Sequence, residues 1–96
     1  MKIGIIAGTG FYNLPALSGS TPQVVETVYG KASITSGTWH GVEIAFLTRH
    51  GVDHSVPPSA VNYRANITAL KSAGADFVIA VNVVGGIDPK LPAGSL

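Results

Sequence analysis

The sequence has 96 residues, a length that suits one small domain. Its charge balance is close to neutral, at +1, which argues against electrostatically driven nucleic-acid binding because that needs a basic surface. The sequence has no cysteine, which excludes disulfides and thiolate metal sites. No apolar run approaches the roughly 18 residues that a membrane-spanning helix requires.

Only 11% of the residues are charged, against about 25% in typical globular proteins. A small domain has a large surface relative to its volume, so this low charge predicts a surface that is covered by further chain, by a partner subunit or by both. A charge-poor soluble domain is the alternative. The short apolar run of residues 1–7, broken by Gly8 and Gly10, does not suit a signal peptide, and we expect a cytoplasmic protein.

Short apolar runs bounded by glycine predict strands in the first half of the chain. The predicted strands are residues 2–7, 23–28, 34–38 and 42–48. Residues 11–22, which contain two prolines, predict at most one helical turn, and residues 29–31 predict a turn. Residues 39–41 predict a three-residue hairpin loop between the third and fourth strands.

The second half predicts a loop, a helix and a last strand. The loop at residues 49–58 closes with two prolines, and the helix spans residues 60–73, with Ser59 as its N-cap and Gly74 as its terminator. The predicted apolar face of the helix consists of Ala60, Tyr63, Ile67 and Leu70. Residues 77–83 predict a strand covered on both faces. The order predicts an α/β fold, with a helix packed on a mixed β-sheet.

Gly8-Thr9-Gly10 follows the first strand directly. Backbone amides in such a turn can converge on an anion, and the Thr9 hydroxyl adds a donor. The motif is neither a P-loop nor a dinucleotide fingerprint, since Asn13 replaces the third glycine and Pro15 interrupts the expected helix. A purely structural turn is an equally good reading of these residues.

Arg49 and His50 follow the fourth strand, and ligands in open α/β sheets gather at the carboxyl ends of strands. The planar guanidinium can hold two oxyanion oxygens, although a surface arginine beside a turn would look the same. His50 and His54 lie in a loop rich in glycine and proline, which does not suit a zinc-binding helix, and we expect no metal.

Two further segments carry polar groups. Residues 62–66 place two asparagines, a tyrosine and an arginine in the first turns of the helix; a solvated helix face is the alternative. Asn82 and Val83 lie near the end of the last strand, before Gly85-Gly86, where free backbone amides could meet a ligand. If the first, fourth and last strands run parallel in one sheet, Thr9, Arg49 and Asn82 converge at one edge.

The motifs, taken in order, resemble the methylthioadenosine phosphorylase family of purine nucleoside phosphorylases, and most of all its bacterial members that act on methylthioinosine or methylthioadenosine. The matching segments are Gly8-Thr9-Gly10, Arg49-His50-Gly51 with His54, Pro57-Pro58, residues 61–67, residues 80–87 and Pro92-Ala93-Gly94. The resemblance covers essentially the whole chain, and residues 49–67 are its most specific part. It implies that residues 1–96 are the incomplete N-terminal part of a single phosphorylase domain with an α/β/α fold.

The resemblance implies a purine-salvage transferase, a pentosyltransferase that converts a nucleoside and inorganic phosphate to free base and (methylthio)ribose 1-phosphate. By that likeness the phosphate-binding residues are Thr9, Arg49, His50, Asn82 and Val83, and weaker substrate contacts are His54 and Pro58. The resemblance also implies that this chain carries no catalytic residue for the leaving base, that no cofactor is needed besides phosphate as co-substrate, and that the full-length protein is a trimer. Two alternatives remain: an anion-binding fragment without catalysis, and a structural fragment.

Overall fold

The computed structural model describes residues 1–8, 15–17, 19–50, 56–82 and 85–95. The strands in these parts are β1 (Lys2–Ala7), β2 (Gln23–Thr27), β3 (Gly30–Trp39), β4 (Val42–Thr48) and β5 (Phe77–Ala80), and the α-helix is α1 (Tyr63–Ser72). Two short 3₁₀ turns, Pro15–Leu17 and Pro58–Ala60, complete the elements. The predicted mixed sheet with a packed helix is confirmed.

The strands form one sheet in the order β2-β3-β4-β1-β5. The first three form an antiparallel meander, and β1 lies parallel to both β4 and β5. Ala7 pairs with Thr48, and Ile6 pairs with Ala80, so the carboxyl ends of β4, β1 and β5 lie at the same edge. This is the arrangement on which the predicted convergence depends.

Two tight turns join the meander, and both are shorter than the sequence predicted. Trp39 pairs with Val42, so the loop consists only of His40 and Gly41, whose φ angles are 50° and 78°. Left-handed conformation at both positions gives the turn the twist that flanking strands need. At the other turn Thr27 pairs with Gly30, so Gly30 already belongs to β3.

The core lies on both faces of the sheet. On one face α1 packs through its small side chains against the central strands; the buried residues are Ala32, Ile34, Ala45, Leu47, Ala69 and Leu70. On the opposite face a second cluster gathers around the first 3₁₀ turn; its residues are Ile5, Ala7, Leu17, Ile44 and Phe46. Alternating residues of β4 therefore serve the two faces in turn.

The helix starts later than predicted and presents a different face. Asn62 is the N-cap, and its side-chain oxygen accepts a hydrogen bond from the Ala65 amide at 3.1 Å. Ser59 instead belongs to the separate 3₁₀ turn Pro58–Ala60, which precedes the helix. The buried helical residues are Ala65, Asn66, Ala69 and Leu70, while Tyr63 and Ile67 are exposed. Gly74, with φ 88°, follows the helix as predicted.

The last strand differs from the prediction in length and burial. β5 ends at Ala80 rather than at residue 83, and all four of its residues are exposed. The side chain of Phe77, for example, is 60% exposed. The strand lies at the edge of the sheet beside β1, whereas α1 packs over β2 and β3, so neither face of β5 is covered by the described chain.

Candidate anion site at the strand edge

The half-buried side chain of Arg49 connects the ends of two strands. The Arg49 amide donates to the carbonyl of Ala7 at 2.9 Å, which extends the parallel ladder one residue past β4. Its Nη1 atom donates to the carbonyl of Val81 at 3.1 Å and to Oδ1 of Asn82 at 2.8 Å. Because β1 lies between β4 and β5, the guanidinium crosses the end of β1 to reach β5.

Gly8 makes this crossing possible. A Cβ atom placed on Gly8 would overlap Cζ and both Nη atoms of Arg49. Only a residue without a side chain lets the guanidinium lie this close to the end of β1, so the glycine is required here for space.

The positive charge of Arg49 has no anionic partner among the residues described. The single salt bridge in those parts joins Lys31 to Glu26 on the β2–β3 hairpin, at 3.7 Å. Both side-chain hydrogen bonds of Arg49 go to neutral oxygens and use Nη1. A guanidinium carries five N–H donors in a planar fork. The contacts with Val81 and Asn82 hold this guanidinium in place, and its charge and its other donors have the geometry to bind an oxyanion.

His50 is fixed next to Arg49. It is only 4% exposed, and its Nδ1 lies 2.9 Å from the carbonyl of Val56. A carbonyl oxygen can only accept, so Nδ1 carries the proton in this contact. The amide of Val56 in turn donates to the carbonyl of His50 at 2.8 Å, which links the residues on either side of segment 51–55.

The structure brings together some of the residues that the sequence singled out. Arg49 and Asn82 are in direct contact, and His50 is adjacent in the chain. Thr9, His54 and Val83 lie outside the described residues, and of Pro58 only the backbone, in a 3₁₀ turn, is described. The sequence pattern did not predict that Gly8 would provide the space in which the Arg49 guanidinium lies. Its position just after a strand is the signal that could have found it.

The described chain holds no group of three or more histidine, aspartate and glutamate side chains that could bind a metal ion. Nor does any helix in those residues have the length and apolar character needed to cross a membrane. The fold and the site together define an α/β protein with an arginine and a buried histidine at the carboxyl edge of its parallel strands.

Comparison with known proteins places this architecture in a family. The model of the phosphorylase superfamily matches residues 2–96. The chain therefore belongs to the phosphorylase superfamily.

Curated relatives are named as nucleoside phosphorylases. A probable 6-oxopurine nucleoside phosphorylase from Moorella thermoacetica is 47% identical over 98% of this chain and 36% of its own length. An S-methyl-5'-thioadenosine phosphorylase from Rhodospirillum rubrum is 46% identical over 97% of this chain and 32% of its own. A probable S-methyl-5'-thioinosine phosphorylase from Pseudomonas syringae is 49% identical over 94% of this chain and 37% of its own length.

A solved structure shows the same fold. Methylthioadenosine phosphorylase from Schistosoma mansoni in complex with adenine superposes with a TM-score of 0.85 at 39% identity. The match covers 96% of this chain and 34% of that one. The present chain thus spans about a third of the length of the proteins it resembles.

Proposed function

We propose that the protein containing this chain catalyses phosphorolysis of a purine nucleoside or methylthionucleoside, and that this chain supplies its phosphate site. Membership of the phosphorylase superfamily and the names of the relatives support the reaction class. The observation that carries the assignment of the site is the Arg49 guanidinium, held across β1 by Val81 and Asn82 without a described anionic partner.

The proposed reaction transfers a pentosyl group from base to phosphate. A phosphate oxygen forms a bond to C1′ of the ribose while the bond from C1′ to the purine nitrogen breaks, and the electron pair leaves with the base. The sugar develops oxocarbenium-like positive charge, as in glycoside hydrolysis. A phosphate held at a fixed position beneath C1′ acts as the nucleophile and stabilises that charge.

In this proposal the phosphate contacts Arg49, His50 and Thr9, with the segment of Asn82 and Val83 completing the site. The guanidinium neutralises phosphate charge and fixes two oxygens. The contact between Nδ1 of His50 and the carbonyl of Val56 holds the imidazole beside Arg49. His54 and Pro58 are proposed substrate contacts.

Proton delivery to the departing base is assigned to no residue of this chain. We therefore propose that residues 1–96 are the N-terminal part of one phosphorylase domain, which binds phosphate but needs further residues for turnover. Inorganic phosphate is a co-substrate in this proposal, and no metal or organic cofactor takes part. A cytoplasmic trimer is the proposed assembly, in keeping with the low charge of the chain.

The test is phosphate-dependent release of base by the protein expressed from its complete reading frame. Inosine, methylthioinosine and methylthioadenosine serve as separate substrates, because the relatives named above differ in the nucleoside that they are named for. We expect turnover of at least one, and at least about 100-fold loss in kcat/KM for phosphate in Arg49→Ala. Release of base that does not depend on phosphate, or an Arg49→Ala variant with full activity, would contradict the proposal.

The second candidate is a module that binds phosphate without catalysis. The geometry of Arg49 supports phosphate binding equally well in this candidate and in the phosphorylase. Calorimetric titration with phosphate separates the two. A module binds phosphate through Arg49 without releasing base from any of the three nucleosides.

A further inference from the structure

The 3₁₀ turn Pro15–Leu17 is attached to the sheet through the buried side chain of Leu17. This residue is 6% exposed and lies against β3 at Gly37. A Cβ atom placed on Gly37 would overlap Cδ2 of Leu17, so the leucine occupies the space that a side chain on β3 would fill. On the backbone side, the carbonyl of Leu17 accepts a hydrogen bond from the Ser20 amide at 3.0 Å.

The side chain of Leu17 also joins the turn to the end of β1. The buried cluster on the sheet face opposite α1 consists of Ile5, Ala7, Leu17, Ile44 and Phe46. Gly37 pairs with Ile44 in the β3–β4 ladder, which places the Leu17 contact beside this cluster. Ala7 is fully buried there, and its carbonyl accepts the Arg49 amide at 2.9 Å. Packing around Leu17 therefore supports the strand end with which Arg49 pairs.

The same turn follows the glycine-rich segment of the chain. Segment 8–14 connects Ala7 to Pro15 and carries Thr9, a proposed phosphate ligand. Ala7, before the segment, and Leu17, shortly after it, belong to one buried cluster. A segment that is held on both sides has fewer conformations than one held on one side only, and it loses less entropy when it binds a ligand.

We propose that Leu17 is a positioning residue for phosphate, because its contact with Gly37 holds the chain that follows Thr9 and its cluster supports Ala7. This role rests on the proposed phosphorolysis, since it concerns the phosphate site of that reaction. Leu17 acts through Thr9 and the end of β1, and it does not itself contact substrate. Loss of its packing weakens phosphate binding and leaves nucleoside binding unchanged.

The experiment measures initial rates with the protein expressed from its complete reading frame, varying phosphate and nucleoside separately. Leu17→Ala removes the contact from the turn, and Gly37→Ala displaces the leucine from the sheet side. Each should raise the KM for phosphate about fivefold, because more of the segment must be ordered when phosphate binds. The KM for the nucleoside and kcat at saturating phosphate should change by less than about twofold.

A double-mutant cycle tests whether Leu17 and Gly37 act through one contact. In the combined variant the second substitution should add less than about twofold to the KM for phosphate. Leu17→Met is the conservative variant, and it should keep this KM within about twofold of the original value, because methionine has nearly the same volume and adapts its shape. Effects that multiply in the combined variant would overturn the proposed contact, and so would a Leu17→Met protein as impaired as Leu17→Ala.

Leu70→Ala is the matched control, since Leu70 is fully buried on the opposite face of the sheet, in the cluster beneath α1. It should lower Tm at least as much as Leu17→Ala, yet change the KM for phosphate by less than about twofold. If Leu17→Ala does not fold, Leu17→Val and Leu70→Val provide the same comparison with a smaller loss of packing, and only Leu17→Val should raise this KM, about threefold.

The results for Arg49→Ala distinguish failure of this role from failure of the proposed function. If Arg49→Ala loses activity while the Leu17 and Gly37 variants keep the original KM for phosphate, Leu17 has no positioning role and the phosphate site stands. If Arg49→Ala keeps full activity, the proposed phosphate site itself is wrong. A rise in the KM for phosphate that is as large in the Leu70 variant would reflect a general loss of stability and would also overturn the role of Leu17.

Discussion

Nη1 of Arg49 lies 2.8 Å from Oδ1 of Asn82, a residue 33 positions further along the chain. The two residues follow strands that are not neighbours, and the guanidinium spans the intervening end of β1. The side chain of Asn82 thus orients the arginine as well as standing at the proposed site. An orientation fixed before phosphate arrives lowers the entropy lost on binding.

This hydrogen bond predicts that part of the effect of Asn82 on phosphate acts through Arg49. Asn82→Ala should raise the Kd for phosphate at least about tenfold, the value of one hydrogen bond to a charged group. In an Arg49→Lys background, where the fork is absent, the same change should have less than about a twofold effect. Calorimetry on the four proteins of the cycle measures the coupling. Equal effects in both backgrounds would instead mean that Asn82 contacts phosphate independently.

Gly8 gives a second prediction, because its missing side chain is the space that Arg49 occupies. Gly8→Ala should displace the guanidinium and raise the Kd for phosphate at least about tenfold. Gly85→Ala is the matched control, since a Cβ there meets no atom within 4 Å. If both substitutions changed the Kd for phosphate equally, the close approach of Arg49 to Gly8 would not contribute to phosphate binding.

The start of α1 gives a prediction on stability. Asn62→Ala removes the N-cap and the hydrogen bond to the carbonyl of Tyr29, at 2.7 Å, and should lower the free energy of unfolding by about 1–2 kcal/mol. Ser59→Ala, at the residue that sequence pattern alone names as the cap, should change it by less than about 0.5 kcal/mol. Urea titrations of the two variants decide between these positions, and a larger loss for Ser59→Ala would favour the earlier helix start.

The β3–β4 turn gives a prediction with two signs. Gly41 has φ 78°, so Gly41→Ala should destabilise the protein by about 1 kcal/mol. His40 has φ 50°, and His40→Asn should stabilise it by about 0.5 kcal/mol, because asparagine tolerates this conformation better. Thermal melting of both variants reports the shifts in Tm. A Tm that moves in the same direction in both would contradict the left-handed turn.

Much of the sheet could be predicted from the sequence. β1 and β4 have the predicted bounds because each is a compact apolar run with clear flanking signals. The helix face could not be predicted in the same way. Tyr63 and Ile67 are the more apolar residues by type, but the sheet accepts the smaller Ala65 and Ala69, because small side chains let the helix approach closely. Tertiary packing overrode residue type.

The site was predictable at the level of strand ends and not at the level of contacts. Arg49 and Asn82 each follow a recognisable apolar run. That their side chains meet depends on the registers of two parallel pairings, Ala7 with Thr48 and Ile6 with Ala80, and no local pattern encodes these registers. The space over Gly8 has the same origin, since it exists only once β4 and β5 flank β1.

The central place of β1 also has a consequence for how the chain is made. β1 is synthesised first, but the strands that pair with it end at Thr48 and Ala80. It therefore leaves the ribosome well before either of its partners. The β2–β3–β4 meander needs only nearby residues and can form during that interval. We therefore expect β1 to join the meander only after Thr48 has emerged, and β5, which pairs with β1, to be added after it.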